Sequence, residues 1–134
     1  MHASEFEPGI DDDSAFYWEG TRDETLLVQR CDGCGALRHP PSPACPRCQS
    51  LAWTAEAAPD RGVLHSVSQV HHPPSPFQPP DYLLCLVDLT DGVRVAANLR
   101  DCALTDATIG MPVELFFEPI ADGYRLPQFR PVGQ

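Results

Sequence analysis

The stretch CDGCGALRHPPSPACPRC, residues 31–48, decides how this chain is organised. It carries two Cys-x2-Cys pairs, Cys31/Cys34 and Cys45/Cys48, with ten residues between them. Because two tight turns would place four thiolates at the corners of a tetrahedron, the spacing predicts one zinc ion held by all four cysteines. Zinc with no coordination position left for water or substrate is expected to be structural rather than catalytic. An iron site of the rubredoxin type and a disulfide framework are the alternatives for these cysteines.

The segments that flank the cysteine pairs have the composition of short strands. Residues 26–28 lead into the first pair and residues 51–54 lead out of the second, and both favour β-structure. Between the pairs, Arg38 to Pro43 is too rich in proline for regular structure. A small β-ribbon around one metal ion is therefore expected.

Upstream of the ribbon, a short helix is predicted, capped by Asp13 or Ser14 and limited by Gly20 to two or three turns. It carries the adjacent aromatics Phe16, Tyr17 and Trp18. Three neighbouring aromatics cannot all face one small domain, so contact with another chain or domain is one interpretation. Packing of the aromatics over the core of their own chain is the other.

From Gly62 the pattern changes to strands separated by turn signals. Strands are expected at 63–71, 82–89, 93–97, 113–118 and 123–129. Residues 82–89 are nearly all apolar, which is typical of a strand covered on both faces. Asp91-Gly92 is a hairpin signal, and Asp122-Gly123 separates the last two strands. Five short strands in about seventy residues predict a small closed barrel.

The charge of the chain limits its partners. The 134 residues carry a formal net charge of −10, and all nine basic residues are arginine. Such an acidic chain lacks the counterion-release drive toward nucleic acid. No apolar run approaches a membrane span and no signal peptide opens the sequence, so a soluble cytoplasmic protein is expected. Residues 3–6 match the translation of adjacent NheI and EcoRI sites, which leaves open whether residues 1–6 are native.

Several separated motifs carry a family resemblance. They are Phe16-Tyr17-Trp18, residues 26–31, Cys34-Gly35, Pro40-Pro41, residues 45–48, Gly62-Val63-Leu64, Gly92-Val93-Arg94, Ala97-Asn98-Leu99, residues 109–113 and residues 126–131. With these motifs the chain resembles the zinc-ribbon and OB-fold proteins associated with acyl-CoA enzymes, formerly described as a domain of unknown function. The resemblance covers about residues 14–132.

The resemblance implies a mainly β fold with a short N-terminal helix, a rubredoxin-like zinc ribbon and a five-stranded OB-fold barrel. The domains would be a flexible lead-in at 1–13, the helix at 14–25, the ribbon at 26–58 and the OB-fold domain at 59–134. It further implies one structural zinc on Cys31, Cys34, Cys45 and Cys48. No catalytic residue is implied for this chain.

For function, the resemblance implies a non-catalytic accessory subunit or domain that a carbon–carbon lyase or thiolase-type complex requires. Its partner would be a thiolase-like, lipid-transfer-type protein that cleaves a β-hydroxyacyl-CoA by a retro-aldol reaction in bacterial steroid side-chain degradation. A heterotetramer would result, and the acyl-CoA would bind mainly through the partner. Alternatives are a MaoC-like enoyl-CoA hydratase as the fused or associated partner, an independent acyl-CoA-binding module and, least favoured, a nucleic-acid-binding OB fold.

Two further groups of residues remain open to more than one interpretation. His71, His72 and Phe77 lie in a proline-rich segment that either docks on a partner near its substrate channel or is an ordinary rigid loop. A set of arginines could serve the phosphates of CoA, although the sequence favours solvated or interface positions for them. They are Arg38, Arg47, Arg61, Arg94 and Arg100.

Overall fold

The computed structural model describes residues 7–74, 76 and 78–133. One helix, α1 (Ala15–Arg22), precedes eight strands. The strands are β1 (Leu27–Cys31), β2 (Leu37–Arg38), β3 (Trp53–Ala57), β4 (Arg61–Gln69), β5 (Leu83–Leu89), β6 (Arg94–Leu99), β7 (Pro112–Pro119) and β8 (Arg125–Pro131). No helix among the described residues is long and apolar enough to cross a membrane.

Helix α1 begins where the sequence predicts, with Ser14 at its N-cap position, but the Ser14 side chain makes no capping hydrogen bond to the helix. Asp11 Oδ1 accepts a hydrogen bond from the Ser14 N–H, and Ser14 Oγ accepts one from the Asp11 N–H. Gly20 lies inside the helix and is buried. A Cβ at this position would come within 2.8 Å of Leu27 Cδ1 on β1. The glycine therefore permits close packing of α1 on β1.

The first three strands form a small antiparallel sheet in the order β2-β1-β3. Strand β1 is central, pairing Gln29 with Arg38 on one side and with Ala55 on the other. The expectation that regular structure is absent from Arg38 onward is wrong by one residue, because Arg38 belongs to β2. Its pairing with β1 outweighs the prolines that follow it.

The last five strands close into a barrel in the order β4-β5-β6-β8-β7, with β7 pairing back to β4. This confirms the predicted mainly β fold with a five-stranded OB-type barrel. The prediction that residues 82–89 are covered on both faces is wrong, since β5 alternates buried and more exposed positions and Leu84 is exposed. A closed barrel has one inner face, so half of this apolar strand faces outward.

The barrel and the ribbon share one buried core. Leu26 and Val28, at the start of the ribbon, belong to the same cluster of buried side chains as Leu64, Val113 and Phe129 of the barrel. The two sheets therefore pack around common apolar side chains. The boundaries proposed at 14–25, 26–58 and 59–134 stay a prediction.

Replacing Gly62 with alanine is expected to destabilise the barrel by about 1–3 kcal/mol, the usual cost of overpacking. A Cβ at this buried position would clash with the backbone oxygen of Asp88 on β5, and a backbone atom cannot move aside as a flexible side chain can. Urea denaturation would measure the effect. Gly9→Ala is the matched control, since a Cβ there meets no atom within 4 Å, and an equal loss in both variants would contradict the prediction.

Candidate metal centre

The four cysteines of the two pairs come together at one end of the ribbon. Their sulfur atoms all lie within 4.8 Å of one another. Cys31 Sγ is 3.5 Å from Cys48 Sγ, and Cys34 Sγ is 3.6 Å from Cys45 Sγ. Four sulfurs at about 2.3 Å from a tetrahedral ion would be separated by roughly 3.8 Å. The donor set therefore fits one tetrahedral metal ion.

The two turns that carry the cysteines have the same backbone hydrogen bonds. In the first, the Gly35 N–H donates to the Cys31 carbonyl at 2.9 Å; in the second, the Gln49 N–H donates to the Cys45 carbonyl at 2.8 Å. Gly35 and Gln49 both adopt positive φ, 78° and 64°. Glutamine thus occupies a left-handed position that suits glycine better, and the second turn forms despite that cost.

Backbone N–H groups point toward the sulfur atoms of Cys31 and Cys45 and favour the thiolate form of these two cysteines. The N–H of Cys48, and next that of Arg47, lowers the pKa of Cys45 to about 6. The pKa of Cys31 is also lowered, mainly by the N–H of Cys34. Because thiolates are the form that binds metal, these turns are suited to hold the ion. A bound zinc would cross-link the two turns, and four protein ligands would leave it no open position for substrate.

The other two cysteines take no part in this cluster. Cys85 is buried in the barrel, where burial raises the pKa of its thiol to about 12. Cys102 is half-buried, and its pKa is also raised by burial. Neither thiol is suited to act as a nucleophile at neutral pH.

The three helix aromatics contact other parts of their own chain. Phe16 packs on Trp53 of β3 with ring centroids 4.6 Å apart, and Tyr17 lies 5.6 Å from the His39 ring. Trp18 meets Tyr124, just before β8, edge to face at 6.3 Å. The helix therefore joins ribbon and barrel. All three side chains are only half-buried, and their role as partner contacts stays a prediction.

The two loop histidines, His71 and His72, are exposed and lie between β4 and β5. His71 Nδ1 is 2.7 Å from Asp81 Oδ1, which fixes the ring of His71. Phe77, the third residue predicted in this loop, lies outside the described residues. The loop is a candidate contact surface by its exposure, and its role there stays a prediction.

Of the five predicted arginines, three line one cleft, Arg100 forms an ion pair, and Arg61 is exposed at the start of β4 outside that cleft. Arg38, Arg47 and Arg94 line one cleft together with Arg30, which the sequence analysis did not include. Arg100 instead pairs with Glu118 at 3.1 Å on the barrel. Arg30 lies directly before Cys31 on the central strand and pairs with Leu37 of β2, and no local sequence signal links it to the other arginines.

Comparison with known families gives two adjacent matches. Residues 18–54 match the model described as the ChsH2 rubredoxin-like zinc ribbon domain, and residues 55–118 match the ChsH2 C-terminal OB-fold domain. The match to a zinc ribbon agrees with the four-cysteine cluster. The prediction of a zinc ribbon with four cysteines positioned for one metal ion is therefore confirmed.

Among solved structures, a chain of the Ltp2-ChsH2(DUF35) aldolase superposes with a TM-score of 0.86 and 41% sequence identity. The match covers 93% of the present chain and 98% of that chain. It therefore extends over the helix, the ribbon and the barrel together.

Among curated relatives, a probable enoyl-CoA hydratase alpha subunit of Thermomonospora curvata is 41% identical over 92% of this chain. The 3-oxo-4,17-pregnadiene-20-carboxyl-CoA hydratase alpha subunit of Mycobacterium tuberculosis is 33% identical over 86%. The chain spans only 39% and 37% of the length of these two relatives. A DUF35 domain-containing scaffold protein of Pyrococcus furiosus is 31% identical over 87% of this chain and 90% of its own length.

Proposed function

Because this chain belongs to the ChsH2/DUF35 family of zinc-ribbon and OB-fold proteins, we propose that it is a non-catalytic accessory subunit or domain of an acyl-CoA enzyme. Its metal site supports this proposal, since four thiolates leave no open coordination position. The zinc on Cys31, Cys34, Cys45 and Cys48 would hold the ribbon in shape. Chemistry on the substrate would belong to the partner.

The partner we propose is a thiolase-like, lipid-transfer-type aldolase that cleaves a β-hydroxyacyl-CoA of a steroid side chain by a retro-aldol reaction. The observation that carries this proposal is the similarity to the chain in the Ltp2-ChsH2(DUF35) aldolase, which extends over almost the whole of both chains. The steroid substrate rests on the pregnadiene-carboxyl-CoA name of the mycobacterial relative. A heterotetramer of two copies of each chain is the stoichiometry we propose.

Co-expression with a thiolase-like, lipid-transfer-type protein tests the proposal. We expect one complex on size exclusion with the light-scattering mass of a heterotetramer, and cleavage of a β-hydroxyacyl-CoA that requires both chains. The partner alone and the present chain alone are the controls. A partner that is equally active alone and forms no complex would contradict the accessory role.

A hydratase partner is the second candidate, because two of the relatives are hydratase alpha subunits of which this chain spans less than half. Hydration of an enoyl-CoA by a complex with a MaoC-like protein would support it over the aldolase. Nucleic-acid binding is disfavoured by the net charge of −10. Phe129 is also buried, so it cannot stack on a base.

Replacing both His71 and His72 with alanine is expected to weaken the complex by about tenfold or more, equivalent to about 1.4 kcal/mol. Both side chains are exposed, and the prolines around them limit the entropy lost when the loop docks. Titration of the partner by light scattering or calorimetry measures the change. His65→Ala is the matched control, since His65 is also exposed but lies on β4 outside this loop. Unchanged assembly of the double variant would exclude the histidines from the interface.

A further inference from the structure

Among the described residues, the sheet of the ribbon has two unpaired edges, β2 and β3. Strand β2 has only two residues and is followed by Pro40, Pro41 and Pro43, so it offers little backbone to another strand. Strand β3 has five residues, contains no proline and pairs with β1 in a continuous register. A regular edge of this kind can accept a further strand.

The hydrogen bonds between β1 and β3 show which backbone groups of β3 face outward. Just before β3, the Ala52 carbonyl accepts the Asp32 N–H at 3.0 Å, and just after it the Ala58 N–H donates to the Leu26 carbonyl at 2.8 Å. Because the direction of these groups alternates along an antiparallel strand, every second residue from 52 to 58 faces β1 and the residues between them face away. The outward-facing residues are Trp53, Ala55 and Ala57.

The outward backbone groups of β3 have no partner within the described part of the chain. No hydrogen bond joins the N–H or carbonyl of Trp53, Ala55 or Ala57 to another described residue on that side. Ala55 and Ala57 are exposed, and their methyl groups are too small to screen the backbone. Natural sheets often protect such an edge with a lysine, a proline or a bulge, and β3 has none of these.

Carboxylates at both ends of this edge carry negative charge without a counterion. Asp32 lies beside the start of β3, where its Oδ1 accepts a hydrogen bond from Thr54 Oγ1 at 2.8 Å, and Asp60 is exposed shortly after the strand ends. Neither aspartate forms an ion pair with a described residue. Arg30 of β1 is already paired with Glu56 of β3 at 2.7 Å. A segment that binds along β3 is therefore expected to carry basic side chains.

Apolar side chains extend the edge at its beginning. Leu51, two residues before β3, is 71% exposed. Trp53 and Phe16, whose rings are in contact, are both half-buried. Because aromatic side chains are enriched in protein interfaces, a segment on this edge would gain apolar contacts as well as backbone hydrogen bonds.

We infer that the free edge of β3 binds an extended, basic segment of the thiolase-like partner, which joins the sheet of the ribbon as a fourth strand. A second copy of this chain fits the edge less well. An antiparallel pair of two β3 strands would bring the Asp32 end of one copy to the Asp60 end of the other, and both ends are negative. The inference rests on the proposed aldolase partner and adds the way in which that partner makes contact.

The first test replaces Ala55 with proline. Ala55→Pro removes an outward N–H, whereas the hydrogen bonds to β1 come from the neighbouring residues, and an edge strand tolerates proline. We expect the affinity for the thiolase-like partner, measured by light scattering, to fall by about tenfold or more. Ala55→Thr is the matched control, because it keeps the N–H and favours a strand, and it is expected to change the affinity by less than about twofold. Zinc content and melting temperature are measured for both variants.

Amide hydrogen exchange tests the same contact in the unaltered chain, so the result does not depend on the folding of a variant. In the free chain, the amides of Thr54 and Glu56 are expected to exchange slowly, because they donate to β1, and those of Ala55 and Ala57 quickly. In the complex, we expect exchange at Ala55 and Ala57 to slow by about tenfold or more. Thr54 and Glu56 are the internal controls and are expected to change less.

The outcomes separate this inference from the proposed function. A complex that leaves the Ala55 and Ala57 amides exchanging as in the free chain, or that survives Ala55→Pro unchanged, would overturn strand addition and leave the accessory role intact. Failure of the wild-type chain to form a complex would contradict the proposed function and this inference with it. Self-association of the free chain that slows exchange at the same two amides would assign the edge to a second copy instead.

Discussion

Replacing Cys31 or Cys48 with serine is expected to abolish stoichiometric zinc binding and to unfold the ribbon. A serine hydroxyl is a poor zinc ligand at neutral pH, and the other three sulfurs cannot complete the tetrahedron. In zinc-finger peptides the metal supplies about 10–16 kcal/mol of folding free energy, so losing one ligand removes a large share of the stability of so small a sheet. We expect the melting temperature to fall by about 10 °C or more. Zinc content by elemental analysis and thermal unfolding would measure both effects.

Cys102→Ser is the matched control, because it makes the same chemical change at a half-buried thiol outside the cluster. It is expected to keep one zinc per chain and nearly the full melting temperature. In the co-expression experiment, the ligand variants are expected to lose the complex and the control to retain it. Ligand variants that still bind one zinc, melt normally and assemble an active complex would contradict a structural role for the metal.

Local sequence signals were sufficient for the metal site and for the order of the strands. The Cys-x2-Cys spacing predicts the four-sulfur cluster because each turn is only four residues long, and its geometry leaves little freedom. Asp91-Gly92 likewise predicts the turn between β5 and β6, where the Gly92 N–H donates to the Leu89 carbonyl. Features encoded in a few neighbouring residues can be read directly from the sequence.

Features that depend on contacts between distant segments could not be read in this way. The apolar run at 82–89 has the composition of a strand buried on both faces, and only closure of the barrel through β4 and β7 leaves one face outward. The convergence of Arg38, Arg47 and Arg94 depends on how the ribbon packs on the β5–β6 turn. Arg94 is far from Arg38 and Arg47 in the sequence, and no periodicity links the three.

Replacing Phe129 with alanine is expected to destabilise the protein by about 3–5 kcal/mol, the range for deleting a buried aromatic ring. Phe129 lies on β8, is 0% exposed, and its backbone pairs with Leu99 of β6 on one side and Leu115 of β7 on the other. Its side chain belongs to the buried cluster that fills the barrel. Urea denaturation followed by far-UV circular dichroism would measure the loss. Phe116→Ala is the control, since Phe116 is half-buried beneath the Arg130 guanidinium and should cost less than half as much.

The same variant tests whether ribbon and barrel unfold together. Because Leu26 and Val28 of the ribbon share the cluster of Phe129, a weakened barrel core should also weaken the support of the central ribbon strand. Both tryptophans lie outside the barrel strands, so Trp53 on β3 reports on the ribbon, while Trp18 on α1 reports on the helix and its contact with Tyr124. In Phe129→Ala we expect fluorescence, circular dichroism and zinc release to a chromogenic chelator to shift to the same lower urea concentration. A ribbon that keeps its zinc and its fluorescence while the barrel unfolds would mean that the shared core contacts couple the two sheets only weakly.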